Sequence, residues 1–147
     1  MMFPQIRCYQ ANAISQPNVF FILAKGENAG KPSLKPWANS FAMVCPNEKY
    51  FQFYFWLVYA LFKAKKFKVY LRGSVIPFIN KNDIVAVLKE VAPAVYDDWS
   101  KFQELLNTLD KLEKLKSNLA QQIIASENLQ SLLIRRYFDE VTKKVSL

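Results

Sequence analysis

Histidine is absent from this sequence, and carboxylates are nearly absent from its first 82 residues. Only Glu27 and Glu48 precede Asp83, against nine lysines and two arginines, which gives that half a net charge of +9. From Asp83 onward nine basic residues meet ten acidic ones, and the whole chain sums to +8. A basic half with two carboxylates and no imidazole has few tools for acid–base work, so no enzymatic activity is expected of it. Nuclease chemistry would need two or three converging carboxylates to hold magnesium. Cys8 and Cys45 are the only cysteines; they lack CxxC spacing, and no histidine could complete a zinc site. They read as reduced thiols, and neither a metal nor a cofactor is expected.

Long hydrophobic runs are missing too. The one membrane-like stretch, Tyr50–Phe62, is 13 residues long and is bounded by Lys49 and Lys63, whereas a spanning helix takes about 20. The start at Met1–Tyr9 shows no basic segment followed by an apolar one, so no secretory signal is read there. The expectation is a cytoplasmic protein with no membrane partner. Internal repeats and low-complexity stretches are lacking as well.

What is present favours a packed core. Hydrophobic residues make up 52% of the chain and aromatics 15%, which excludes global disorder. The 147 residues suit one domain, or a small domain with a helical extension. Ile6–Tyr9 and Val19–Ala24 read as strands, being short and rich in β-branched and aromatic residues. Lys25–Pro36 contains Gly26, Gly30, Pro32 and Pro36 and reads as a loop. Trp37–Cys45 reads as a third strand, and Asn47 as the N-cap of a helix that runs to about Lys66. That helix has almost no polar face, so it is expected at the centre of the core, with Phe55, Leu57, Val58 and Leu61 buried. Phe67–Leu71 and Val75–Ile79 read as further strands, the second an edge because Pro77 cannot donate to a ladder. Asn80 or Asn82 then caps a helix from Asp83 to Ala92, stopped by Pro93.

Beyond Asp97 the period is helical. Leu105, Leu109, Leu112, Leu115, Leu119 and Ile123 recur at an average spacing of 3.6 residues, the period of a straight α-helix. Ser126-Glu127-Asn128 would break this helix, with Leu129, Leu133, Tyr137 and Val141 striping a second one. A helical hairpin and a single protruding helix both fit. The fold class that emerges is α+β: a small, mainly antiparallel sheet with an aromatic-rich core helix, followed by a long C-terminal helical region. The division falls into a basic domain over residues 1–92 and a helical extension or hairpin over 93–147.

Two segments could carry binding. Glycines of the Lys25–Trp37 loop could turn backbone N–H groups toward phosphate, with Lys25, Lys31 and Lys35 adding charge. It is no P-loop, because Pro32 stands where a magnesium-binding Ser or Thr would follow Gly30-Lys31. Lys63, Lys65, Lys66, Lys68 and Arg72 form the densest basic cluster, interleaved with Phe62, Phe67 and Tyr70. Proteins of single-stranded nucleic acid use that mixture to neutralise phosphates and stack bases. On a strand, Lys68, Tyr70 and Arg72 would point to one side. Arg135 and Arg136, beside Asp139 and Glu140, read as an ordinary solvated helix face.

Phe20–Phe41 (FFILAKGENAGKPSLKPWANSF) and Phe67–Ile84 (FKVYLRGSVIPFINKNDI), with the aromatic Phe53–Phe62 between them, resemble a family of uncharacterised proteins from Bacteroidales genomes and conjugative elements. The resemblance covers about the first 90 residues, and the family has no established activity. The order of a DNA-reading α+β domain and a long helix is also similar to half of a type I restriction specificity subunit. Together these imply a non-enzymatic nucleic-acid-binding or accessory protein of a mobile element, touching DNA or RNA phosphates through its basic half. The C-terminal leucine stripe is then expected to make a homodimer. A regulatory or antirestriction module that docks an acidic protein partner is the competing expectation.

Overall fold

The computed structural model describes residues 1–11 and 16–146. Four short strands, β1 (Gln5–Cys8), β2 (Val19–Leu23), β3 (Pro32–Ser33) and β4 (Ser40–Val44), form one antiparallel sheet in the order β1-β4-β2-β3. Three α-helices follow, α1 (Glu48–Lys63), α2 (Lys81–Asp97) and α3 (Trp99–Val145). The architecture is α+β with a long C-terminal helix, as the sequence pattern implies. The chain divides into two compact units, Met1–Trp99 and Ser100–Leu147.

Register decides what the sheet buries. Phe20 pairs with Met43 and Ile22 with Phe41, so their side chains share a face, and all four are buried. Over that face lies α1, whose Phe51 and Phe55 rings meet Phe20 edge-on at 5.8 and 5.4 Å. Asn47 caps α1 as expected, its side-chain oxygen accepting from the Tyr50 N–H at 3.1 Å. Helix α1 is the core helix of unit 1, with Phe53, Tyr54, Leu57, Val58 and Leu61 buried. Phe55, expected in the core, is only half-buried, and Phe53 and Tyr54 take its place. Phe53 packs on Tyr96 and Trp99, which brings the far end of α2 onto the opposite side of α1.

Four sequence expectations need correction. Phe67–Leu71 is no strand: Ala64–Phe67 is a turn, and Lys68–Tyr70 is a single 3-10 turn. Lys68, Tyr70 and Arg72 therefore do not alternate along a ladder. Val75–Ile79 is also not a strand; only Phe78 forms isolated bridges, to Lys25 and to Arg72. Helix α2 passes through Pro93 instead of ending before it. An interior proline costs about 3 kcal/mol, and here buried Leu88 and Ala92 lie before it while Tyr96 packs after it. Finally, Ser126-Glu127-Asn128 does not interrupt α3, which is one helix of 47 residues, about 70 Å long. Each of those residues costs a few tenths of a kcal/mol in a helix, too little to stop one that contains neither Gly nor Pro. The hairpin reading is thereby excluded.

Candidate nucleic-acid interface

The basic cluster is built by the way α1 ends. Lys65 N–H donates to the Phe62 carbonyl at 2.9 Å and Lys66 N–H to the Leu61 carbonyl at 3.0 Å. This is a Schellman motif, and it requires a left-handed residue directly after the cap. Lys65 occupies that position with φ of 59°, where glycine is the usual choice. The chain then reverses and drops Phe67 into the core at 2% exposure.

Phe67 is held by the glycine loop. A Cβ on Gly30, whose φ is +93°, would stand 2.7 Å from the Phe67 ring, so only glycine lets the two segments touch. The glycine N–H groups do not face outward for an anion as the loop composition implies. Gly26 N–H donates to the Pro77 carbonyl at 2.8 Å and Gly30 N–H to the Leu23 carbonyl at 2.7 Å. Glycine here serves packing and turn geometry.

This meeting of two segments forms a pocket of about 230 Å³. Phe62, Phe67 and Leu71 line it together with Lys63, Lys65, Lys68 and Glu27. Three of the nine expected contact residues thus converge on one apolar hollow. Lys66 lies beside it in the turn, exposed. Lys25 and Arg72 each form an isolated bridge with Phe78. Arg72 is also engaged by Asp83, its Nη2 lying 3.4 Å from Oδ2. Lys63 sits 5.5 Å from the centroid of the Tyr59 ring. Tyr70 is half-buried, and Lys31 and Lys35 lie outside the pocket on either side of β3.

Sequence reasoning missed an aromatic and lysine cluster at the other end of α1. Tyr50 stacks between Tyr54 and Tyr96, at 6.3 and 6.0 Å, and Lys49 lies 5.5 Å from the Tyr96 centroid. Lys49 and then the Tyr50 hydroxyl bring the pKa of the Tyr96 phenol below its ordinary value. Burial drives the other two groups upward: Tyr54 to about 12, helped by its Cys45 and tyrosine neighbours, and the Cys45 thiol to about 12. Tyr50 and Tyr54 fall four residues apart on α1, a signal available in the sequence. Tyr96 was hidden by the expectation that α2 stops at Pro93.

Among the described residues, no group of three or more His, Cys, Asp or Glu side chains is placed to hold a metal ion. No helix among them is long and apolar enough to cross a membrane. The stripe residues Leu105, Leu112, Leu115, Leu119 and Ile123 are exposed and Leu109 half-buried. Arg136 pairs with Glu140 at 3.0 Å, as expected of a solvated helix face.

Comparison with known proteins adds one finding. Residues 6–136 match the model of DUF6943, a family of unknown function, and the chain belongs to that family. No curated protein and no solved structure matches it.

Proposed function

We propose that this member of DUF6943 is a non-enzymatic nucleic-acid-binding protein whose contact surface centres on the pocket between the glycine loop and the end of α1. One observation carries the reading: three lysines, Lys63, Lys65 and Lys68, line one pocket together with two aromatic side chains, Phe62 and Phe67. Such a site offers cations for phosphate and a hydrophobic bed for an unstacked base, which favours single strands over duplex. The few acids in residues 1–82 leave the surrounding field positive. An accessory role on a mobile element extends this reading and rests only on the resemblance of residues 20–41, 53–62 and 67–84. A protein partner is the second reading, and it has its own observation. Val69, Val75 and Ile76 are 82%, 89% and 61% exposed in the segment that follows the lysines, and an acidic partner with an apolar patch would cover them.

Fluorescence anisotropy with a labelled single-stranded oligonucleotide and its duplex separates the two. Replacing Lys63, Lys65 and Lys68 together with Gln should lower affinity for all sequences alike. It should also flatten the plot of log affinity against log salt by about 2, from about 0.7 for each lost phosphate contact on single strands. Lys31→Gln with Lys35→Gln should change affinity less. Absence of binding to either nucleic acid at low salt would overturn the proposal and leave the protein partner.

A further inference from the structure

We infer that the apolar stripe of α3 is the docking face for a second copy of this chain, lying antiparallel with Lys116 of each copy against Glu127 of the partner subunit. The unbroken helix is what makes the inference available. At 100° per residue, Leu105, Leu109, Leu112, Leu119 and Ile123 fall within a band about 80° wide. Because α3 continues through Ser126, the same band picks up Ile134, Tyr137 and Val141, the last of them ten full turns beyond Leu105. These residues are exposed along the helix, apart from half-buried Leu109. A band of that length left to water is the mark of an interface.

Between Leu105 and Val141 the band holds two charged residues, Lys116 and Glu127. They are of opposite sign, about three turns apart, and on the same side of the band's centre line. In a parallel, in-register pair each would face its own copy, lysine against lysine and glutamate against glutamate. An antiparallel pair with its twofold axis midway between them sets Lys116 against Glu127 twice. That register also places Leu109 level with Ile134 and Leu105 level with Phe138. Charges inside an apolar seam choose orientation and register more than they add affinity. The overlap from Leu105 to Phe138 is about 50 Å long. With a strip about 10 Å wide on each copy, it buries on the order of 1,000 Å², enough for a specific though modest interface.

The inference is independent of what unit 1 binds, and full-length protein tests it. Sedimentation velocity at high micromolar concentration should show a dimer. Lys116→Glu should raise the dimer dissociation constant about tenfold by replacing two attractive pairs with two repulsive ones, and adding Glu127→Lys should restore it. A parallel pair would be indifferent to both variants. Cross-linking reads the register directly. With exposed Cys8 changed to Ser and Cys45 buried, Lys116→Cys with Glu127→Cys should oxidise to a covalent dimer. Lys116→Cys alone should stay uncrosslinked. A monomer at high concentration, or a covalent dimer from Lys116→Cys alone, would overturn the inference. Circular dichroism on each variant separates loss of pairing from loss of the helix.

Discussion

Helices α1 and α3 both carry apolar residues at helical spacing, yet those residues meet opposite fates. On α1, Tyr54 and Val58 are completely buried and Phe53 retains 1% exposure. On α3, leucines at regular helical spacing stay about half exposed. The difference lies in what surrounds them. A sheet face packs on one side of α1 and the α2 end on the other, through Phe20 and Tyr96. The described residues of unit 2 offer α3 no second element. Hydrophobic periodicity therefore identifies a face that must be covered without saying whether the cover comes from the same chain. In α1 the chain supplies it; in α3 the charges of the seam point to another copy.

Truncation should widen this contrast more than any other change. Phe53→Ala removes a buried ring between Tyr96 and Trp99 and should cost about 3 to 5 kcal/mol. Leu119→Ala, on a half-exposed leucine, should leave the unfolding of unit 1 unchanged and alter only self-association. Urea denaturation followed by tryptophan fluorescence measures both. Equal losses for the two variants would mean that α3 is covered within its own chain. Phe55→Ala should fall between them, because Phe55 is half-buried.

How much of this was legible depended on whether the deciding interaction was local. The strand at Val19–Leu23, the Asn47 cap and the core role of Tyr50–Phe62 rest on residues within a turn or two of one another, and sequence pattern found them. The misread segments depend on distant partners. Phe67 looks like the start of a strand until Gly30, 37 residues earlier, is seen to hold it in place. Pro93 looks like a stop until Tyr96 is found packed on Phe53. At the candidate site, the lysines were visible as a run of charge. Their convergence on a shared pocket was not, because Lys65 turns the chain in a conformation that propensity reserves for glycine. For α3 the error ran the other way: a polar tripeptide was given more breaking power than three ordinary residues possess.

Alkaline pH offers a second way to separate the units, with a smaller effect. Cys45 and Tyr54 both titrate near 12 in the folded protein, against ordinary values of 9 and 10. Below pH 9 both are protonated whether the chain is folded or not, so they make no difference. Above pH 9 the unfolded chain loses these protons first, which draws the equilibrium toward unfolding until about pH 12. Tyr96, lowered by Lys49, works in the opposite sense as its phenol ionises. Thermal melts of unit 1 should therefore fall across this window, and Cys45→Ala should show a shallower decline from its lower starting point. Exposed α3 carries no buried thiol or phenol among its described residues.

The smallest effect expected concerns Lys65, where folding and binding ask for different residues. Its φ of 59° closes the Schellman motif, and a side chain there costs about 1 kcal/mol relative to glycine. Lys65→Gly should consequently raise the stability of unit 1 by roughly that amount, read as a higher urea midpoint with unchanged slope. The same change removes a cation from the lining of the pocket and should weaken binding to a single-stranded oligonucleotide. Lys65→Gln provides the control, because it keeps the backbone strain and loses only the charge. If Gly and Gln weaken binding equally while Gly alone stabilises, the strained lysine is retained for its charge. If affinity is unchanged in both, Lys65 makes no phosphate contact and the surface centred on it must be redrawn around Lys63 and Lys68. The outcome also bears on α3, whose exposed leucines stand in the same relation to folding: neither they nor Lys65 are explained by the stability of the single chain.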